Sequence, residues 1–417
     1  MQKILLLIAS LFYFNFILAE NEIKSWQGIH ETPLSRLEQQ FAEPPVEFAN
    51  HVIWGWEGKM DKKTICNDLD SIKKKGFRAV IFEAGYKLPF KYLSEEWFKA
   101  IRTGVLEAKK RGMKVWIIDE GKYPSGFAGG KFSQERPDLR MQALVIGDTI
   151  QIKRGEVMTN HKIAPEIISA VAVSTSGAPN RTVAINNGEI SFNAGLDDWK
   201  ILLVKSDFRT AVTRAVNNPN GGKDATNSLC DYLNPVAVQQ FIDWTHEQYK
   251  KYLGKELGTT VLGFRGDEPD YAHLPWTPSI VQTFKDTKGY DPTPYLASFF
   301  TTSPTIQEQR VKADYWDVWS SLFATHFFKL QADWCAANGV AHITHLNKEH
   351  EMPACVKAEG DYFRNLSKVQ IPGVDAIWNQ IWPGTLNDFP KLASSVAHVY
   401  GKPRAFSESF AAYHISP

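Results

Sequence analysis

Neither sign of charge is in excess. The 417 residues hold 47 Lys and Arg against 46 Asp and Glu, a formal net charge of +1. That leaves no basic surplus to draw the chain to nucleic acid and no acidic tail. Long apolar runs are equally scarce. The one near the start, Ile4 to Leu18, is too short to span a bilayer comfortably, and polar sequence follows it. No later segment has the length and apolarity of a membrane helix. Cysteine is sparse, and Cys66, Cys230, Cys335 and Cys355 match no zinc or redox spacing. They read as free thiols, although export would permit disulfides. A glycine-rich phosphate loop is missing after the early strands, which weighs against a doubly wound nucleotide-binding sheet.

What is present begins with a secretory signal over residues 1–19. Lys3 supplies the positive end, the apolar run follows, and Ala19 offers a small residue for cleavage, with no Cys there for a lipid anchor. The mature chain is therefore expected to be soluble and exported, periplasmic or extracellular. Residues 20–45 read as a polar leader ending in Glu43-Pro44-Pro45. Aromatics are plentiful, with 13 Trp and 14 Tyr. Core packing accounts for most of them, but sugar rings also stack on exposed aromatic faces.

From residue 46 strands and helices alternate. Val52 to Trp56, Phe77 to Ala84 and Lys114 to Glu120 read as the first three strands. Ile65, Leu69 and Ile72, then Trp97, Ile101, Val105 and Ala108, mark the helices between them. Residues 140–226 break the rhythm as a β insertion in which Asn187-Gly188 signals a hairpin. Asn234-Pro235 then caps a helix whose apolar face runs from Val238 to Leu253. Thr260 to Glu268, Val340 to Leu346, Val374 to Gln380 and Ala405 to Phe410 are strands four to seven, with a long helix from Gln307 to Asn338 and a last one from Asp388 to Tyr400. Short, doubly apolar strands separated by helices predict a parallel sheet. The expected fold class is α/β, a (β/α)8 barrel built from residues 46–139 and 227–417. The chain stops before an eighth strand, so it is expected to be the front part of a longer protein.

Polar residues collect at the carboxyl ends of these strands: Glu83, Asp119, Glu120, Asp267, Glu268, His345, Asn379 and Glu408. A barrel places its active site there. Glu268 ends the fourth strand and Glu408 lies in the seventh, so they face each other across the mouth. Alternation puts Phe264, Gly266 and Glu268 on one face, and Phe406, Glu408 and Phe410 on another. Apolar neighbours would raise the pKa of each acid and suit it to proton transfer. Two such carboxyls can flank a glycosidic bond. Pairing with Arg265 or Arg404 is the structural alternative. Asp119 and Glu120 open the loop Gly121-Lys122-Tyr123-Pro124-Ser125-Gly126-Phe127-Ala128-Gly129-Gly130, which lacks the Gly-Lys-Ser/Thr ending of a phosphate site. Its carboxylates suit sugar hydroxyls, and its glycines suit either a ligand or a tight turn. His342 and His345 fall on opposite faces of a strand, which argues against a simple metal pair and leaves His345 to bind substrate. Trp54, Trp56, Trp378 and Trp382 could wall a sugar site or pack in the core.

The 119–130 loop, the Gly266-Asp267-Glu268-Pro269 strand end and Phe406-Ser407-Glu408-Ser409-Phe410, in this order, resemble glycoside hydrolase family 106, the α-L-rhamnosidases. The resemblance covers roughly residues 45 to 412. It implies an exported, inverting, calcium-dependent barrel enzyme acting on an oligosaccharide or polysaccharide, with Glu268 as general acid and Glu408 as general base. The strand-end reading itself offers Asp119, Glu120, Asp267, His345, Asn379, Trp54 and Trp378 as candidate substrate contacts, and no calcium ligands are assigned. The Asp267-Glu268-Pro269 ending also resembles retaining barrel glycosidases, so stereochemistry stays open. A sugar-binding protein without turnover is the other alternative.

Overall fold

The structure is a computed structural model that describes residues 33–409 except 211–212, 216–222, 225–226, 272–273, 378–379, 381–383 and 385–386. The expected signal segment, Trp378, Asn379, Trp382 and Phe410 lie outside the described residues. Seven parallel strands pair in chain order: β1 (His51–Trp56), β2 (Ala79–Ala84), β3 (Lys114–Ile118), β4 (Val261–Asp267), β5 (Ala341–His345), β6 (Ile371–Ala376) and β7 (Phe406–Ser409). The sheet curls into a half-barrel. Arg265 on β4 reaches Glu408 on β7 although β5 and β6 lie between them.

Helices cover the convex face. Lys62–Lys74 starts where the Asp61 side chain accepts the Thr64 amide at 2.9 Å, and Glu95–Lys110 starts where Ser94 accepts that of Trp97. Such caps satisfy amides the first turn leaves unpaired. Ile65, Leu69, Trp97, Ile101 and Val105 pack against Val80, Phe82, Val115, Ile117, Val261 and Phe264. The apolar face expected from Val238 to Leu253 is divided between two helices, Pro235–Trp244 and His246–Leu253. The break falls at Thr245 (φ −110°, ψ −84°), whose hydroxyl meets the Phe241 carbonyl and the His246 ring. The long helix is likewise interrupted, by a π segment at Phe323–Phe328. Among the described residues no helix is long and apolar enough to cross a membrane. The four cysteines are free thiols.

The concave face is lined by Ile81, Trp116, Ile118, Leu262, Ala341, Ile343 and Ile371. A register shift in β4 between Val261 and Gly263 slips the in–out alternation by one residue. A Cβ at Gly263 would lie 1.9 Å from the Ala341 carbonyl oxygen, so only glycine fits at the slip. Beyond it Phe264 turns outward, while Arg265 and Asp267 turn into the half-barrel.

The insertion after β3 is antiparallel. Gln142–Ile152, Trp199–Phe208 and Ile167–Ser174 form its main sheet, which Pro275–Trp276, from the segment after β4, extends at one edge. Asn187 and Gly188 (φ 53° and 76°) turn the expected hairpin between Ile185–Asn186 and Glu189–Asn193. A third ribbon joins Thr213–Ala215 to Lys122–Tyr123.

Candidate active site

Four of the sequence-predicted residues meet at the carboxyl ends of the strands: Asp267, Glu268, His345 and Glu408. Their route there differs from simple alternation. Phe264 and Gly266 point outward, where a Cβ on Gly266 would meet His342 and Thr344. Strand geometry would carry Glu268 outward as well. Instead Glu268 lies past the strand with φ 40°, and this left-handed turn swings its side chain back to the concave side. The expectation that Glu268 shares a face with Phe264 is therefore corrected.

His345 sits at the centre and is only 1% exposed. Its Nε2 lies 3.2 Å from Asp267 Oδ1 and 3.0 Å from Glu408 Oε2, and its Nδ1 lies 3.2 Å from the Leu346 carbonyl. Burial pulls its pKa down. The hydrogen bond to Asp267 and the charges of Glu349 and Asp267 outweigh that and raise it to about 9. The ring is thus an imidazolium with acceptors at both nitrogens. Arg265, 2% exposed, donates from Nη2 to the same Glu408 oxygen and lies 3.6 Å from Asp267. The 2.9 Å approach of Arg265 to His345 is then two donors converging on shared acceptors. His345 is thus buried within the cluster, where it meets the carboxylates of Asp267 and Glu408.

Glu268 has different surroundings. Desolvation raises its pKa to about 8, with Asp267 and Asp375 adding to the rise and His345 and the Tyr123 hydroxyl opposing it. Asp375, 4% exposed on β6, is raised by desolvation too and hydrogen-bonds Glu268. Sequence reasoning missed Asp375 because it placed the sixth strand at Val374 to Gln380. β6 runs from Ile371 to Ala376, which puts Asp375 near the strand's carboxyl end. Pro372-Gly373 reads as a breaker, but a Cβ at Gly373 would lie 2.2 Å from the Phe406 ring, so the glycine lets β7 come close. Tyr123 was missed also, since nothing local marks a tyrosine that comes to lie beside a residue so far along the chain.

Asp119 and Glu120 do not reach the mouth. Both are 0% exposed. The Glu120 carboxylate accepts the backbone amides of Gly121, Phe127 and Ala128, and Asp119 accepts the Ser125 hydroxyl at 2.9 Å. They fix the glycine-rich loop, where Gly126, Gly129 and Gly130 take positive φ. Trp54 lies on the convex side, its ring 5.3 Å from Trp56 and 5.4 Å from Phe82. It packs in the core, because β1 turns it away from the concave face.

Among the described residues, two triads bring candidate ligand atoms within 4.8 Å of one another: Asp267, His345 and Glu408, and Glu268, His345 and Asp375. Calcium takes oxygen ligands. Each triad includes His345, whose imidazolium has no lone pair to give. Neither fits calcium.

A parallel half-barrel that gathers acids at the carboxyl ends of its strands has the architecture of barrel enzymes whose site is built from those ends. Residues 159–416 match the profile of the α-L-rhamnosidases of glycoside hydrolase family 106, and the chain belongs to that family. A solved rhamnosidase from Novosphingobium sp. PP1Y has the same fold, with a TM-score of 0.64 and 16% identity over 91% of this chain and 53% of that one. A protein of Formosa agariphila that carries a provisional beta-glucuronidase name is 24% identical over 432 residues, 90% of this chain and 35% of the relative. The chain spans about half the length of the first and about a third of the second.

Proposed function

We propose that the chain hydrolyses α-L-rhamnosides in oligosaccharides or polysaccharides with inversion, Glu268 acting as general acid and Glu408 as general base. The observation that carries this reading is the contrast between two carboxyls meeting one imidazolium. Glu268 is desolvated beside Asp375 and keeps its proton near neutral pH, ready for the glycosidic oxygen. Glu408 faces Arg265 and His345, and both cations use Oε2. Oε1 is then the atom offered to a water. As the sugar ring gains oxocarbenium character, Glu268 protonates the leaving oxygen while Glu408 takes a proton from that water. Arg265 and His345 hold the base still and balance its charge. Family membership supports rhamnose as the sugar. The apolar start and Ala19 support export, which the amino-terminal sequence of the secreted protein would check.

The test is a panel of aryl glycosides that includes α-L-rhamnosides and β-glucuronides, with proton NMR of the first-formed product. Turnover of the rhamnoside to the β-anomer is expected, and Glu268→Gln and Glu408→Gln should each lower it by about a hundredfold or more. Retention of the α-anomer would make Glu408 a nucleophile. Full turnover by Glu268→Gln would remove it as the acid. Oligosaccharide binding without turnover would make the chain a sugar-binding protein.

A further inference from the structure

We propose that Tyr123 is a positioning residue for the general acid, and that a strand of the β insertion holds it against Glu268. The proposal rests on Glu268 being that acid. The Tyr123 hydroxyl lies beside the Glu268 carboxyl. Asn347 Nδ2 donates to the same hydroxyl at 3.4 Å. A hydroxyl has one proton to give. With Asn347 donating to the oxygen, that proton is left for Glu268. Asn347 is itself fixed, since its backbone amide donates to the fully buried Glu359 at 2.7 Å.

The backbone around Tyr123 is held from two sides. Ser125 N donates to the Asp267 carbonyl at 2.8 Å, and Asp267 N donates to Ser125 Oγ at 2.6 Å. This double link ties the loop to the end of β4 one residue before Glu268. On its other edge, Tyr123 pairs with Arg214 and Lys122 with Ala215 in the antiparallel ribbon of the insertion. The insertion is thus joined through one short ribbon to the phenol that touches the acid. When Glu268 gives up its proton, the Tyr123 hydroxyl is already aimed at the carboxylate that forms, and its hydrogen bond strengthens as charge develops.

Leaving-group dependence separates this role from simple support of the loop. A 2,4-dinitrophenyl group departs with little help from an acid, whereas a phenyl group needs the proton. Tyr123→Phe is expected to lower kcat/KM about tenfold on phenyl α-L-rhamnoside, the worth of one hydrogen bond, and to change it less than about threefold on the dinitrophenyl substrate. Replacing residues 213–224 by a short Gly/Ser linker should give the same pattern. Equal losses on both substrates, or no loss, overturn the proposal. A second measurement needs no turnover. The Cζ signal of Tyr123 in ¹³C-tyrosine-labelled full-length protein, assigned by its loss in Tyr123→Phe, should move when Glu268→Ala removes the acceptor. An unmoved signal overturns the contact. Absence of turnover by the unaltered protein on every aryl glycoside would instead sink the hydrolase reading, with the NMR result still deciding whether Tyr123 bonds Glu268.

Discussion

Replacing Glu268 by glutamine should make the protein more stable, and the gain should depend on pH. The fold moves the Glu268 pKa from 4.5 to about 8, chiefly by desolvation. A raised pKa means that the folded chain binds this proton more tightly than the unfolded chain, so stability falls as pH climbs between the two values. Each tenfold change in proton affinity is worth about 1.4 kcal/mol, which puts the full penalty at about 4–5 kcal/mol above pH 8. Asp375 beside it competes for the same proton, so about 3 kcal/mol is the working figure. Glutamine keeps the shape, stays neutral at every pH and can still donate to Asp375. Thermal unfolding of both proteins between pH 5 and pH 8.5 measures the difference. At roughly 2 °C per kcal/mol for a large domain, the variant should melt about 6 °C higher at the alkaline end and within about 2 °C of the unaltered protein at pH 5. Melting curves that run parallel across the whole range would refute the desolvated, protonated acid.

Arg265→Met should destabilise the fold by about 3 kcal/mol at pH 8, because Glu408 and Asp267 would lose one of the two cations that meet them among the described residues. Urea unfolding at that pH would show the loss, and an unchanged midpoint would refute the pairing. Gly263→Ala should cost about 3 kcal/mol or more, since its methyl would run into the Ala341 carbonyl of the neighbouring strand, which is backbone and has little room to yield. A melting temperature unchanged in that variant would show that β4 and β5 lie farther apart.

The alternation of strands and helices was legible because each strand is a short apolar run bounded by glycine or proline, and the helices show their inward faces. The positions of side chains at the strand ends were less so. Glu268 reaches the site through a backbone slip at Gly263 and a left-handed turn of its own, and neither follows from a period of two. Asp119 and Glu120 read as ligand-binding acids because a sequence shows the charge and not the three amides that occupy Glu120. Arg265 entered only as a structural alternative to catalysis. In the fold it pairs with Glu408 within the candidate site. Pairings between distant strands, such as Tyr123 with Arg214, leave no local trace.

The two-residue strand Pro275–Trp276 gives the insertion a second hold on the barrel. It lies a few residues past Glu268 and pairs with Gln142 and Ala143. Heat or a protease that opens the insertion's main sheet would thus pull on the chain directly after the acid. The insertion and the active-site loop would be expected to come apart as one cooperative unit in hydrogen exchange. Anyone grafting the insertion onto another barrel would have to carry residues 268–276 with it.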